Sequence, residues 1–360
     1  MEIKRPTLLL DVDILRNNLS DMAEKARRNG LQFRPHFKTH QSRKIGEIVR
    51  EYGVSSITVS SVSMATYFAG DWEEITIAIP FNTLEIDETN DLASKQKINL
   101  LVENWETLNF LNDKMKSSVG IYIEVDTGYK RSGVPFHRVD ILEKMATFIQ
   151  DSEKLHLKGL YCHAGHSYNA RSEEEIQQIS DESITRLSNL KREMTRSFPS
   201  LEVNFGDTPC CSVTENFGEV DSISPGNFMF YDLAQVNIGS CTTDQIAVCM
   251  VCPIIAKYPE RGELIIYGGG IHFSKDRLQT NGMEYYGLPV HVGNEKRGTP
   301  LSDSFLISIS QEHGIIKANA EIISELEVGD VIGILPVHSC LTANCMREYT
   351  TFYGDFYDHM

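Results

Sequence analysis

Residues 31–40 read LQFRPHFKTH, and residues 41–53 continue QSRKIGEIVREYG. Leu31, Phe33, Pro35 and Phe37 alternate with Gln32, Arg34, His36 and Lys38, the period of two that gives a strand one apolar and one polar face. Ile45, Ile48, Val49 and Tyr52 then recur at helical spacing, with Thr39 or Ser42 placed to cap the helix and Gly53 just past its end. A strand running into a helix predicts one β-α unit. Lys38 ends the polar face of that strand, either as part of a solvated edge or as a positioned amine.

The unit repeats along the chain. Strands are expected at SSITVSS (55–61), EITIAIP (74–80), INLLVEN (98–104), VGIYIEVD (119–126), LKGLYCH (157–163), LEVNFGD (201–207) and VDSIS (220–224). Helical patterns separate them around MATYFAG, 84–95, ETLNFLNDKMK, FHRVDILEKMATFIQ and 172–196. Eight strands alternating with helices predict an α/β fold, a closed (β/α)8 TIM barrel over residues 10–236. From 237 to 360 the texture changes to TTDQIAVCMVCPIIAKY, GELIIYGGGIHF, SFLISISQEHGIIK and DVIGILPVHSC, which predicts a C-terminal antiparallel β domain. PTLLLDVD near the start either begins the barrel or lends a strand from residues 1–9 to that domain.

Composition narrows the function. Hydrophobic residues are 41% and charged residues 23% of 360, as in an ordinary globular protein. The formal charge of −16, from 34 basic and 50 acidic residues, argues against nucleic acid or an anionic membrane as partner and favours a small-molecule substrate. The start MEIKRPTLLLDVD and the lack of a long apolar run read as a cytoplasmic protein with neither leader nor membrane span. The eight cysteines read as buried thiols or occasional ligands, not as a disulfide framework.

In barrels of this kind chemistry sits at the C-terminal ends of the strands. Those ends carry Lys38 and His40, Phe81-Asn82, Glu103-Asn104, the run Asp126–Arg131, His163, His166 and Tyr168, Gly206-Asp207-Thr208, and Pro225-Gly226-Asn227. The turns GDT and PGN fall after the last two strands, where such barrels hold phosphate, because backbone N–H groups reach an anion closely when no Cβ intrudes. A phosphate turn, a strand-end lysine and a rim of histidines point to pyridoxal phosphate with Lys38 as its Schiff-base amine. Arg34, two residues back, supplies the flanking positive charge that favours a nucleophilic amine.

PHFKTH, EVDTGYKRSGVP, GLYCHAGHSY, GDTPCCS, ISPGNFMFYD and PVHSCLTANC occur in an order that resembles the metal-dependent D-serine dehydratase and D-threonine aldolase family, fold-type III pyridoxal-phosphate enzymes of alanine racemase type. The resemblance implies that Lys38 carries the cofactor and that His338 and Cys340 hold a divalent metal, zinc before manganese given an imidazole and a thiolate. A spacing of two puts His338 and Cys340 on one face of an extended segment. It further implies cofactor contacts from Arg131 to the ring oxygen, from His163 and Tyr168 beside the ring, and from Thr208, Gly226 and Asn227 to the phosphate. Alanine racemase has an arginine before the glycine turn; Ser224-Pro225-Gly226 stands there here, so racemisation ranks low. YGGGIHFSKD at 267–276 reads as a tight turn of open role.

The reaction implied is that of a lyase on a β-hydroxy D-amino acid. Lys38 removes the α-proton, and a metal on the β-hydroxyl makes it a leaving group, turning D-serine into pyruvate and ammonia. The alternative is D-threonine aldolase, in which His163 or His166 takes the hydroxyl proton and glycine and acetaldehyde result. A non-catalytic carrier of pyridoxal phosphate is the remaining reading, and the family further implies a homodimer.

Overall fold

The computed structural model describes residues 2–280 and 282–360. The chain forms two compact units, one of Ser20–Lys38 and Val49–Gly226, the other of Met1–Leu19, Thr39–Ile48 and Asn227–Met360.

In the first unit, eight parallel strands are arranged around a barrel. Gln32–Phe33 pairs with Ser222–Ile223, then come Glu202–Gly206, Leu155–His163, Val119–Asp126, Ile98–Val102, Glu74–Pro80 and Ser56–Val59. The ring is completed by a parallel bridge between His36 and Thr58, with Phe37 N–H donating to Thr58 O and Thr58 N–H to Pro35 O. Side-chain caps start the intervening helices: Ser61 for Val62–Phe68, Asn104 for Trp105–Lys114 and Ser172 for Glu173–Met194. The alternating strand positions behave as the pleat requires. Ile57, Ile75, Leu100, Ile121, Leu160, Val203 and Phe205 are buried on the helix-facing side.

The barrel interior is layered. At the N-terminal ends of the strands Arg34 bonds to Tyr122, to Gln32 (2.6 Å) and to Glu202 (3.0 Å), while Glu74 bonds to Asn99, Lys97 (3.0 Å) and Lys158 (3.2 Å). Leu101, Tyr122, Tyr161 and Ala78 pack above that floor. The polar face of LQFRPHFK is thus an interior face: Arg34 and His36 are buried, and Arg34 belongs to the floor network. The regular strand is shorter than the 31–38 alternation predicts, because the barrel needs only Gln32–Phe33 and the His36 bridge to close.

In the second unit, a mostly antiparallel sheet runs Arg297–Pro300, Gly287–Val292, Val331–Pro336, Val248–Tyr258, Thr7–Leu10, Glu348–Thr351 and Phe356–Asp358, with Glu263–Tyr267, His313–Lys317 and Phe305–Ile309 branching from it. The N-terminal strand pairs antiparallel with Val248–Val251 and parallel with Thr350–Thr351. Cys249 and Cys252, a C-x-x-C spacing, lie in one strand with their thiols buried and pushed up by that burial, Cys249 to about 12. Ser42 caps Arg43–Arg50, its Oγ accepting from Ile45 N–H (3.1 Å). A helix that the strand-like reading of PTLLLDVD passes over begins at Val12, where Asp11 Oδ1 accepts from Asp13 and Ile14 N–H (3.1 Å each). Among the described residues no helix is long and apolar enough to cross a membrane.

Candidate functional site

Two clusters carry chemistry, one in each unit. The first is a cavity of about 440 Å³ at the C-terminal mouth of the barrel. Phe37 is fully buried, edge-on to Phe68 and Trp72 with ring centroids 5.1 Å apart, and it pins the chain so that the next side chain, Lys38, turns to the cavity. Lys38 is exposed there, beside His36, Glu124, Arg131, Tyr161 and His163. The Lys38 N–H donates to His36 Nδ1 (3.3 Å), which leaves the proton of a neutral His36 ring on Nε2.

Arg131 comes from the loop after Val119–Asp126. Gly133 folds that loop back (φ 101°), where a Cβ would meet Asp126 N at 2.9 Å, and its N–H donates to Glu103 Oε2 (2.7 Å). The Arg131 guanidinium lies over the Tyr129 ring, 5.1 Å from its centroid. His163 is bound through Nδ1 to the Gly206 carbonyl (2.8 Å), so Nδ1 carries the proton and Nε2 is the acceptor. Burial, with the positive charges of Lys38 and Arg131, pushes His163 down to about 3 and keeps it neutral at pH 7. Glu124 is buried, accepts from Ser132 Oγ (2.9 Å) on one oxygen and has no partner on the other; burial pushes its carboxyl up.

The remaining sequence candidates fall around this cavity unevenly. Tyr168 is half-exposed, its ring 6.2 Å from His163, and its hydroxyl oxygen accepts from Thr208 N–H (3.4 Å). Thr208 begins the short helix Thr208–Val213, capped by buried Asp207. His166 stacks on Tyr129 (centroids 6.3 Å, 24°) beside Arg186, outside the cavity lining, with its Nδ1 buried and unbonded. Asn227 lies in the other unit and turns its side chain to Asp232 (2.7 Å), Ser339 (3.1 Å) and Cys340 (3.3 Å). Ser224, where an arginine would stand in alanine racemase, joins a neutral relay from Tyr161 Oη (3.1 Å) to Asn204 Oδ1 (2.7 Å).

The second cluster is His338 and Cys340. The expectation of an extended segment is corrected here: the strand ends at Pro336, His338 is the N-cap residue, and Cys340 sits in the first turn of the helix Ser339–Met346. Tertiary contact causes the break, since buried Asp232 Oδ2 accepts from Ser339 N–H (3.0 Å) and Oγ (3.2 Å). The helix turn still brings the pair together. Burial alone would raise the Cys340 thiol, but the His338 hydrogen bond and charge bring it below its ordinary range. Burial would lower His338, yet Asp276 and Cys340 push it up to about 11. An imidazole and a thiol that already share protons in this way suit a divalent cation, which takes the place of those protons. Among the described residues no three His, Cys, Asp or Glu side chains form a closed metal site.

Residues 10–233 match the family model "Alanine racemase, N-terminal domain", and residues 247–352 match "Putative serine dehydratase domain". The chain belongs to the alanine racemase N-terminal-domain family. Its fold is that family's barrel with a curled C-terminal sheet, as the ordered motifs from PHFKTH to PVHSCLTANC lead one to expect. A D-serine dehydratase of Dictyostelium discoideum is 26% identical, covering 98% of this chain and 94% of the relative. A D-threo-3-hydroxyaspartate dehydratase variant solved in a metal-free form superposes with a TM-score of 0.92 at 24% identity, over 99% and 98% of the two chains. D-threonine aldolase from Filomicrobium marinum superposes at 0.85 with 18% identity, over 98% and 94%.

Two residues at these clusters escape the sequence reading. Glu124 was within reach of it, since the strand alternation puts it on the interior face with Asp126. Asp276, 3.5 Å from His338, is joined to it only by the fold.

Proposed function

We propose that the protein is a pyridoxal-phosphate- and divalent-metal-dependent lyase that eliminates the β-hydroxyl of D-serine to give pyruvate and ammonia. The observation that carries the reading is Lys38, a strand-end amine held by Phe37 at a cavity shared with Arg131 and a neutral His163. The cavity's volume, about 440 Å³, lies in the range of small-molecule sites, about 300–1,000 Å³. The donor set fits the cofactor, with Lys38 for its aldehyde carbon and Arg131 for an anionic ring oxygen. His338 and Cys340 fit zinc. When bound, the cofactor supplies an electron sink for the α-carbon and the metal a Lewis acid for the β-oxygen.

The chain's own groups divide the remaining work. Lys38 Nζ would hold the cofactor and, as an amine at the cavity, would serve as the base for the α-proton. Arg131 holds negative charge at the mouth. His163, kept neutral by burial with the Lys38 and Arg131 charges, presents Nε2 as a hydrogen-bond acceptor. Ala78, Ile79 and Pro80 line the cavity together with a carboxyl group, Glu124, an environment suited to a substrate with one carboxylate and not two.

Incubation with D-serine, D-threonine and D-threo-3-hydroxyaspartate tests this. The expected result is 2-oxo acid and ammonia, fastest from D-serine. Glycine and acetaldehyde from D-threonine would replace the reading with an aldolase, and a preference for the dicarboxylate would overturn the substrate assignment.

A further inference from the structure

Asp276 ends the segment YGGGIHFSKD, to which the motifs give no role. Its Oδ2 lies 3.5 Å from His338 Nδ1 and accepts from Ser274 Oγ (2.8 Å). The segment is held rigidly. A Cβ on Gly268 would sit 2.5 Å from Cys252 Sγ, and one on Gly269 2.5 Å from the Ser310 carbonyl oxygen, while Gly270 N–H donates to that same oxygen (2.7 Å). Glycine at these positions lets the backbone lie directly on the neighbouring strand and turn. Thr342 Oγ1, on the helix that begins beside His338, donates to Phe273 O (3.1 Å). The acid and the imidazole are therefore fastened to the same helix from two directions.

We propose that Asp276 is a positioning residue for the metal: it holds the His338 ring by Nδ1, so that Nε2 presents its lone pair to the cation. This rests on the metal-dependent reading of the protein's function. A carboxylate behind a ligating imidazole fixes the tautomer and the ring plane and makes the ligating nitrogen more basic. The triple glycine is then the device that carries the acid to the ring.

The test is zinc affinity of the holoprotein, read by competition with a chromophoric chelator. Asp276→Asn is expected to bind zinc about 10- to 100-fold more weakly, Asp276→Ala no better, and Asp276→Glu to recover part of the loss. The pyridoxal absorbance and the zinc-free unfolding midpoint are expected to stay as in the parent protein. His338→Ala and Cys340→Ala are expected to lose zinc altogether. Parent-like zinc affinity in folded Asp276→Asn would overturn the proposal while leaving the metal reading intact. Failure of the parent protein itself to bind zinc or manganese would overturn both. If Asp276→Asn does not fold, Ser274→Ala takes its place, with a several-fold weakening expected and none contradicting the proposal.

Discussion

The floor and the mouth of the barrel are built from the same strands and from the same kinds of residue, yet they differ in where their polar atoms point. On the floor Arg34, Tyr122, Glu202, Glu74, Asn99 and Lys158 bond chiefly to one another. At the mouth Lys38, Arg131, His163 and Glu124 border a cavity; buried polar atoms without a partner occur in both layers, Arg34 Nε and Asn99 Oδ1 on the floor and Glu124 Oε2 at the mouth, but of these three residues Glu124 alone lines the cavity. A polar residue inside a barrel is thus not a site by virtue of burial. It becomes one where neighbours leave its capacity directed at a space that a ligand can fill.

Three experiments set floor against mouth. The largest effect is expected from Lys38→Ala, which removes the amine but no packing: activity falls at least about 10³-fold and the yellow absorbance with added cofactor disappears, while the unfolding midpoint of the apoprotein is unchanged. Arg34→Leu does the reverse. Its guanidinium is 3% exposed against Glu202 and Tyr122, and removing one partner of a buried ion pair costs about 3–5 kcal/mol. Urea unfolding should show that loss, with Lys38 still binding cofactor. Loss of colour in Arg34→Leu at full occupancy of the folded state would erase the distinction between the two layers.

The smallest effect is in acid. Burial, with the nearby Lys38 and Arg131 charges, depresses His163 to about 3 in the folded protein, against 6.5 for the free side chain. The stability it contributes is complete above about 6.5 and is lost as pH falls toward 3. On the floor, burial would raise Glu74, but the Asn99 amide, Lys158, Lys97 and Arg34 outweigh it and lower the carboxyl to about 2 from 4.5. Its contribution is present above about 4.5 and is lost only below that. His163 should therefore lose its contribution before Glu74 does. Between pH 6.5 and 4.5 the unfolding free energy of the apoprotein, taken relative to His163→Asn, should decline by at most about 1.4 kcal/mol per pH unit; no decline relative to the variant would contradict the assignment. Buried His40, also at about 3, adds a slope of the same sign, and buried Asp207, pushed up to about 6, one of the opposite sign; both are common to parent and variant and cancel in the comparison.

Much of this was legible in the chain. The alternation of strands with helices gives the barrel because each inner strand is an unbroken run such as VGIYIEVD, and Lys38 is found by asking which residue closes the first of them. The floor was not legible. Arg34 reads as a flanking cation for Lys38 because both lie on one face, and only barrel closure shows that successive positions on that face enter different layers. The helix Val12–Arg28 had a signal, since Leu15, Leu19, Met22 and Ala26 recur at helical spacing and all are buried. The helix carrying Cys340 had little, because Asp232, more than 100 residues away toward the N-terminus, helps to start it. Long-range caps of this kind leave no local trace.

On the function proposed here, Lys38, among all the lysines, is the one that joins the cofactor. Incubation with pyridoxal phosphate, reduction with borohydride and peptide mapping by mass spectrometry test it most directly. A single phosphopyridoxyl adduct is expected on the peptide containing Lys38, absent from Lys38→Ala. An adduct on another lysine at equal occupancy, or none on Lys38 in the folded protein, would contradict it.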